Sequence, residues 1–157
     1  MIYKSIFGDI LLLVNNKNEL YYCSLCDKNN INKISDNKKI EENYIKQLDE
    51  YFHLKRKTFD VLIDLSHFNK YQQLVYKEVL MIPYGETKSY LELAIKCFNN
   101  KKYARFVGNI LSKNDVLFFI PCHRIIKSNG KISNYVLGEN TKNKLLKLEK
   151  GVLKWKY

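Results

Sequence analysis

The sequence predicts an α/β protein, with a short antiparallel β-sheet plus a helix in the N-terminal part and a mostly helical C-terminal domain that contains a helix-turn-helix. In the first 25 residues, short extended runs alternate with turn residues, which is typical of a meander of strands. From residue 67 onwards, apolar residues recur at helical spacing instead. The composition changes near residues 66–69, so we predict an N-terminal domain at 1–66 and a C-terminal domain at 67–157.

Size and composition exclude several classes of protein. With 157 residues, of which 46% are hydrophobic, the chain can bury a core. No apolar run approaches the roughly 18–20 residues of a membrane span, and the N-terminus lacks a secretory signal. Without such a signal, the four cysteines are expected to be reduced. We therefore expect an intracellular protein with no membrane partner, cytoplasmic or, in a eukaryote, nuclear.

The N-terminal part is predicted to contain three strands, one helix and one further extended segment. The strands lie at residues 2–7, 10–14 and 20–25, with turns at 8–9 and 15–18. An irregular loop follows at 27–39, because this stretch is rich in Asn and Lys. The helix is indicated by an apolar stripe at i, i+4, i+7 and i+8, formed by Tyr44, Leu48, Tyr51 and Phe52. In residues 58–65, apolar side chains recur at every second position, as they do in an extended segment.

Two helices open the C-terminal part. The first is indicated by an apolar stripe formed by Tyr71, Val75, Val79 and Ile82. Pro83 and Gly85 end this helix. The second begins at Ser89, because Ser89 and Glu92 have the spacing of a capping box, in which each side chain bonds the other residue's backbone N–H. Its apolar face consists of Tyr90, Leu91, Ala94, Ile95 and Phe98.

A third helix after residues 99–100 has two different faces. The apolar face consists of Tyr103, Phe106, Val107, Ile110 and Leu111. The opposite face is basic with small side chains and consists of Lys101, Arg105, Gly108, Asn109 and Ser112. Two short helices joined by a tight turn, the second with such a face, indicate a helix-turn-helix whose backbone can approach DNA. Gly108 favours this function, since glycine inside a helix costs about 1 kcal/mol relative to alanine. The alternative is an ordinary solvated helix face.

The charge of the chain is unevenly distributed. Residues 1–66 carry ten Lys/Arg and ten Asp/Glu, whereas residues 67–157 carry seventeen and six, so the net charge of +11 lies in the second half. A basic half favours a polyanionic partner, and nucleic acid is the commonest. The alternative is a lysine-rich composition without a function, because only three of the 27 cations are arginines.

The strongest local signal for chemistry is Cys122. An apolar run at 116–120 leads through Pro121 to this cysteine, which His123 and Arg124 follow. The thiolate is the reactive form of cysteine, cationic neighbours favour it, and an adjacent histidine can take the proton. These residue types alone leave three alternatives open: a buried structural cysteine, a thiol hydrolase and an alkyl acceptor.

The segment Pro121-Cys122-His123-Arg124 resembles the active-site signature of the O6-alkylguanine–DNA alkyltransferases, also called methylated-DNA–protein-cysteine methyltransferases. Further segments between about residue 48 and residue 150 also resemble motifs of this family, and they occur in the same order along the chain as in the family. The other matching segments are 48–65, 82–90 (IPYGETKSY), 104–108 (ARFVG), 134–135 (NY) and 145–149 (LLKLE).

The resemblance implies a ribonuclease H-like N-terminal part and DNA repair by direct reversal of damage. One alkyl group passes irreversibly from O6-alkylguanine in double-stranded DNA to Cys122, once per molecule and without a cofactor. His123, through a water, and Glu149 deprotonate the thiol in this scheme, and Tyr90 donates toward the leaving guanine. The protein is expected to act as a monomer.

In the same family, a helix-turn-helix binds in the minor groove, and the damaged nucleotide is flipped out of the duplex. The side chain at the position of Arg105 then fills the space that the nucleotide leaves. The resemblance assigns DNA contacts to Ser89, Tyr90, Arg105, Gly108, Asn109 and Arg124. It assigns the substrate pocket to Asn114, Ile125, Tyr135, Val136 and Leu137.

Three residues depart from the family pattern. Asn109 replaces a usually small residue, Val136 lacks a hydroxyl that many members have, and Leu137 is expected to narrow the pocket for large alkyl groups. None of them belongs to the Cys–His–Glu set. Because Cys122 is present, we expect transfer rather than the damage binding of alkyltransferase-like proteins, which replace this cysteine.

A metal site is the remaining possibility for the N-terminal part. Cys23 and Cys26 have CxxC spacing, and His53 and His67 would have to complete the ligand set. Because Cys23 alternates within a strand and no second close pair exists, we expect no metal.

Overall fold

The computed structural model describes residues 1–152 and divides into two compact units. The first unit consists of Met1–His67 together with Asp115–Phe119, and the second consists of Phe68–Asn114 with the described residues from 120 onwards. The predicted domain division after residue 66 stays a prediction, and the structure adds the segment Asp115–Phe119 to the first unit. The sequence predicts that Trp155 packs as an anchor for the C-terminal tail, and this residue lies outside the described residues. No helix within residues 1–152 has the length and apolar character that a membrane span requires.

The first unit is built on a three-stranded antiparallel sheet, as predicted. Its strands are β1 (Ile2–Ser5), β2 (Gly8–Val14) and β3 (Leu20–Leu25), in the order β1-β2-β3. Residues 10–14 of the central strand are all buried, which explains why they form an uninterrupted apolar run. The first turn lies at residues 6–7 and not at 8–9. The Ser5 hydroxyl accepts a hydrogen bond from the Phe7 N–H there, and Gly8 takes a positive φ of 117° as the first residue of β2.

One helix packs on this sheet. It is α1 (Lys38–Phe52), which contacts β2 and begins at the N-cap Asn37. All four residues of the predicted apolar stripe are buried. The predicted extended segment at 58–65 forms no separate strand among the described residues, and it meets β3 through one bridge between Leu20 and Ile63. Further along β3, a second bridge joins Cys23 to Val116, which explains why Asp115–Phe119 belongs to this unit.

The second unit combines helices with a short parallel sheet. The helices are α2 (Lys70–Leu80), α3 (Tyr90–Phe98), α4 (Ala104–Leu111) and α5 (Glu139–Glu149), and the strands are β4 (Lys88–Ser89) and β5 (Ile125–Ile126). The predicted capping box is present: the Ser89 hydroxyl accepts from the Glu92 N–H at 3.0 Å, and the Glu92 carboxylate accepts from the Ser89 N–H at 2.7 Å. A left-handed Asn99 and a 3-10 turn at Lys101–Tyr103 join α3 to α4, where the sequence predicts the turn of the helix-turn-helix.

Three helix faces differ from the prediction, and one is that of the third predicted helix, where Tyr103 and Phe106 are 37% and 39% exposed although they were predicted on its apolar face. On α2, Tyr71 is 45% exposed, whereas Tyr76 is fully buried and its hydroxyl donates to the Ile110 carbonyl at 2.7 Å. On α3, Ile95 is 49% exposed and Leu93 is buried instead. The apolar residues of these short helices cover more than one face, so their spacing alone does not select the buried one.

Candidate active site

Cys122 begins a short 3-10 turn, and its side chain is buried. Asn114 fixes this turn: its Nδ2 lies 3.1 Å from Cys122 Sγ and 3.1 Å from the Ile120 carbonyl oxygen. An amide N–H donates to sulfur, and such a bond stabilises the thiolate form. The local fold therefore holds the Cys122 thiol in place with a donor directed at its sulfur.

The surroundings of Cys122 do not ionise it by themselves. Burial raises the pKa of the thiol to about 11, although the Asn114 hydrogen bond and the positive charge of Lys142 oppose this rise. The side chain is therefore a neutral thiol at neutral pH, and reaction requires a base that removes its proton.

His123 and Glu149 form a buried pair beside the cysteine. The distance between His123 Nε2 and Glu149 Oε1 is 2.8 Å, and both side chains are at most 1% exposed. Burial lowers the pKa of His123 although Glu149 favours the charged ring, so the imidazole is neutral at neutral pH. A neutral ring that donates from Nε2 to a carboxylate carries its lone pair on Nδ1. The pair thus presents a histidine that can accept a proton.

Glu149 is held by an arginine as well as by the histidine. Arg124 donates to it from Nε at 3.0 Å and from Nη2 at 2.9 Å, and the Gly85 N–H donates at 3.3 Å. Burial alone would raise the pKa of Glu149, but the bonds and charges of His123 and Arg124 lower it, so the carboxylate stays ionised. Arg124 also donates to the Ile82 carbonyl at 2.7 Å and is 6% exposed. The prediction that Arg124 contacts DNA is therefore corrected, because its guanidinium is buried against Glu149.

Cys122 borders a cavity of about 750 Å³ in the second unit. Helix α4 and the residue after it contribute part of the lining, namely Ala104, Arg105, Gly108, Asn109, Leu111 and Ser112. The rest consists of Tyr90, Cys122, Lys127, Ser133, Asn134, Tyr135 and Val136. The small basic helix face and the nucleophile, predicted from separate motifs, meet at this one cavity. Among the described residues that line it there is no carboxylate, which suits an anionic ligand.

Several predicted site residues lie elsewhere. Tyr135 and Val136 line the cavity, but Ile125 is buried in β5, and Leu137 is half-buried and outside the described lining. The structure therefore does not support Leu137 as the residue that narrows the pocket. Ser89 was expected to contact DNA, but it is 9% exposed, and both its hydroxyl and its N–H are used in the capping box. The expectation stays a prediction, because the hydroxyl only accepts in the capping box and also carries a proton that it can donate.

Two residues of the site were missed by the sequence analysis, Lys142 and Ser133. Lys142 is 1% exposed, and its Nζ lies 3.1 Å from Ser133 Oγ and 3.4 Å from the Tyr90 hydroxyl. The hydroxyls of Tyr90 and Ser133 are also hydrogen-bonded to each other. Burial lowers the pKa of Lys142 to about 8. A signal existed, since Lys142 precedes Glu149 by seven residues, or about two helical turns, and so shares its buried face.

The residues considered for a metal site do not come together. Cys23 is buried in β3, the His53 ring bonds the Asp49 carbonyl at 2.8 Å, and His67 Nε2 lies 3.1 Å from the Asp115 carboxylate. Residues 1–152 contain no group of three His, Cys, Asp or Glu side chains arranged to hold a metal ion.

Known families and relatives match both units. Residues 1–65 match the family model described as 6-O-methylguanine DNA methyltransferase, ribonuclease-like domain, and residues 70–151 match 6-O-methylguanine DNA methyltransferase, DNA binding domain. The methylated-DNA–protein-cysteine methyltransferase of Methanosarcina barkeri is 36% identical over 156 residues, which are 98% of this chain and 98% of the relative. The protein of the same description from Methanosarcina mazei is 40% identical over 119 residues, 76% of this chain and 74% of the relative.

A solved structure has the same fold. It is the crystal structure of Mycobacterium tuberculosis OGT in complex with DNA, with a TM-score of 0.86 and 32% identity, covering 98% of this chain and 93% of that chain. Together with the ribonuclease-like model that matches residues 1–65, this likeness confirms the predicted fold class.

Proposed function

The chain belongs to the 6-O-methylguanine DNA methyltransferase family, and we propose that it repairs O6-methylguanine in double-stranded DNA by transferring the methyl group to its own Cys122. The observation that carries this proposal is that Cys122 borders the same cavity as the small basic face of α4. His123, the next residue in the chain, forms a buried pair with Glu149. A cysteine with only a structural role would need neither a base nor an open cavity.

Activation of the thiol is the first step. Because burial raises the pKa of Cys122 to about 11, a base must take its proton at neutral pH. His123 accepts it at Nδ1 through one water, and Glu149 stabilises the imidazolium across the 2.8 Å bond. Arg124 keeps Glu149 ionised and oriented for this purpose.

Transfer of the methyl group follows by in-line displacement. The bond between Cys122 Sγ and the methyl carbon forms as the bond between that carbon and O6 breaks, and the electron pair stays with O6. The purine takes up one proton, so that guanine is restored. Tyr90 donates toward the purine as negative charge develops on it. Burial raises the pKa of Tyr90, so its hydroxyl is protonated at neutral pH. The thioether product is not displaced, and each molecule therefore acts once.

The damaged nucleotide must leave the duplex to reach Cys122, because guanine O6 lies inside the base stack. Flipping costs a few kcal/mol. A cavity of about 750 Å³ is within the range of small-molecule sites and can admit a base. Because Gly108 has no side chain, the backbone of α4 can approach the minor groove closely. The exposed Arg105 fills the space that the nucleotide leaves.

Single-turnover repair of a duplex with one O6-methylguanine tests the proposed function. Wild-type protein in excess is expected to restore guanine in all of the DNA, and Cys122→Ala is expected to restore none while still binding. Cys97→Ala is the matched control, since Cys97 is outside the described cavity lining, and it should repair at the wild-type rate. Repair by Cys122→Ala would contradict the proposal. A wild-type protein that binds the lesion without repairing it would be a damage sensor instead.

A further inference from the structure

We propose that a cluster of four aromatic side chains beside α4 packs on the deoxyribose–phosphate backbone of one DNA strand next to the flipped nucleotide, and that Lys70 and Lys102 bind the phosphates of that strand. The four side chains, which we call the aromatic platform, are Tyr71, Phe98, Tyr103 and Phe106. This inference rests on the function proposed above. It concerns a surface that is outside the described lining of the cavity and to which the sequence motifs assign no role.

The aromatic platform is held together by ring contacts between α2, α3 and α4. Phe98 is half-buried at its centre, and its ring centroid lies 5.5 Å from those of Tyr103 and Phe106 and 6.2 Å from that of Tyr71. The rings of Tyr71 and Phe106 lie 5.8 Å apart. Tyr71, Tyr103 and Phe106 nevertheless stay exposed. Rings that only join helices would be buried, whereas a contiguous apolar surface that remains exposed and has a polar rim marks an interaction site.

The charge around the aromatic platform selects a polyanion as the partner. Lys70 Nζ lies 4.9 Å from the ring centroid of Tyr71, and Lys102 Nζ lies 5.1 Å from that of Tyr103. The two segments that carry the platform, 66–77 and 93–114, contain seven Lys/Arg and no Asp/Glu. A second copy of the chain would bring the same cations into the interface and would be repelled. A nucleic-acid backbone instead offers phosphates to the lysines and apolar sugar surface to the rings.

The position of Phe106 on α4 indicates which part of the duplex the platform meets. Phe106 follows Arg105 and precedes Asn109 by three residues, so it borders the helix face that lines the cavity. With α4 in the minor groove, the platform lies against the wall of that groove. Deoxyribose rings form this wall, and their C–H bonds are its apolar surface, whereas the faces of the bases stay stacked inside the duplex. Contacts to sugar and phosphate position a protein without reading sequence, as repair of a lesion in any sequence requires.

Hydroxyl-radical footprinting measures the proposed contact, because the radical attacks deoxyribose and a covered sugar is protected. The duplex carries one O6-methylguanine, and Cys122→Ala is the parent protein, so that the complex does not react. We expect protected sugars around the lesion and a further protected run on one strand beside it. Phe106→Ser and Tyr103→Ser, each in the parent, should lose that flanking run, keep the protection at the lesion and raise the Kd about 10-fold. Met81→Ser, which also removes an exposed apolar side chain, is the matched control and should change neither.

The salt dependence of binding tests the two lysines separately and leaves the rings intact. Each phosphate that a protein neutralises adds about 0.9 to the slope of log K against log salt concentration. Lys70→Met and Lys102→Met should therefore each reduce the magnitude of this slope by about 0.9. Lys39→Met, at an exposed lysine of α1, is the matched control and should leave the slope unchanged.

Each contrary outcome has a distinct meaning. If the serine variants keep the flanking protection and the affinity of the parent, the platform only joins helices and the proposal is overturned. A dimer of the wild type in sedimentation, abolished by the serine variants, would overturn it in favour of an interface between two copies. Should the serine variants fail to fold, unchanged salt slopes for both lysine variants would overturn it. In all these cases wild-type protein would still repair the duplex, whereas absence of repair would refute the proposed function itself.

Discussion

Replacing Glu149 with glutamine should destabilise the protein severely, although the change is nearly isosteric. The carboxylate accepts hydrogen bonds from His123 at 2.8 Å, from Arg124 at 2.9 and 3.0 Å and from the Gly85 N–H at 3.3 Å. An amide keeps one acceptor oxygen but has no charge. In Glu149→Gln the guanidinium of Arg124, which is 6% exposed, would therefore remain buried without its counter-charge.

The size of the effect follows from this uncompensated charge. Removing one partner of a buried ion pair costs about 3–5 kcal/mol in the free energy of unfolding. For a chain of this length, each kcal/mol shifts Tm by about 2–4 °C, so Tm should fall by about 6–20 °C. Repair should slow as well, because His123 loses the group that orients it and stabilises its imidazolium.

Urea unfolding and calorimetry measure this loss, and two further variants control it. Glu139→Gln, on the exposed first turn of α5, should change stability by less than about 0.5 kcal/mol. Glu149→Gln combined with Arg124→Met removes both charges and should recover much of the stability without recovering the repair rate. If Glu149→Gln were as stable as wild type, or if the double variant lost as much as the sum of the two single variants, the reasoning would be refuted.

The same carboxylate predicts how stability depends on pH. The pKa of Glu149 in the fold is below its ordinary value of 4.5, because His123 and Arg124 stabilise the ionised form. Its contribution to the free energy of unfolding is therefore complete above about pH 4.5. That contribution is lost as the pH falls toward the lower pKa of Glu149 in the fold. Wild-type protein should lose stability over this acidic range more steeply than Glu149→Gln, which unfolding curves at several pH values would measure.

Three other substitutions have defined outcomes. Asn114→Ala removes both 3.1 Å bonds, so it should cost about 1 kcal/mol and raise the pKa of Cys122, as measured by urea unfolding and by the pH dependence of thiol alkylation. Lys142→Met should stabilise the protein by up to about 3 kcal/mol at pH 7, because burial lowers the pKa of this lysine from 10.5 to about 8. That gain should shrink as the pH rises above 8, where the buried amine of the wild type becomes neutral, and a loss of stability at pH 7 would contradict this account. Arg105→Ala should slow repair of the duplex by about 10-fold or more but leave transfer from the O6-methylguanine nucleobase unchanged, because the nucleobase needs no flipping. Equal slowing of both substrates in single-turnover assays would count against Arg105 as the flipping residue.

Local patterns in the sequence predicted the elements that depend on neighbouring residues. The capping box of Ser89 and Glu92 needs only a spacing of three residues, and it forms as predicted. The apolar stripe of α1 is broad and lies on one face of the helix, so the sequence predicts unambiguously which face of α1 is buried. On α2 and α3 the apolar residues cover more than one face, and only tertiary contacts such as the bond from Tyr76 to Ile110 decide which face is buried.

The candidate site was predicted where a motif is contiguous and was missed where partners come from distant segments. The residues flanking Cys122 predicted the candidate nucleophile and its neighbours. Arg124 looked like a DNA contact because its charge is visible in the sequence and its partner, 25 residues away, is not. Lys142 looked like one of many surface lysines, because only the folded chain brings it to Tyr90 and Ser133.

The most direct test of the account is to follow the methyl group itself. Protein is incubated with a duplex that carries one O6-methylguanine with a trideuterated methyl group, digested, and analysed by mass spectrometry of its peptides. We predict one label per molecule, located on Cys122, and an unlabelled guanine in the DNA. A label on Cys23, Cys26 or Cys97, or an unlabelled protein beside an unrepaired duplex, would contradict the central claim.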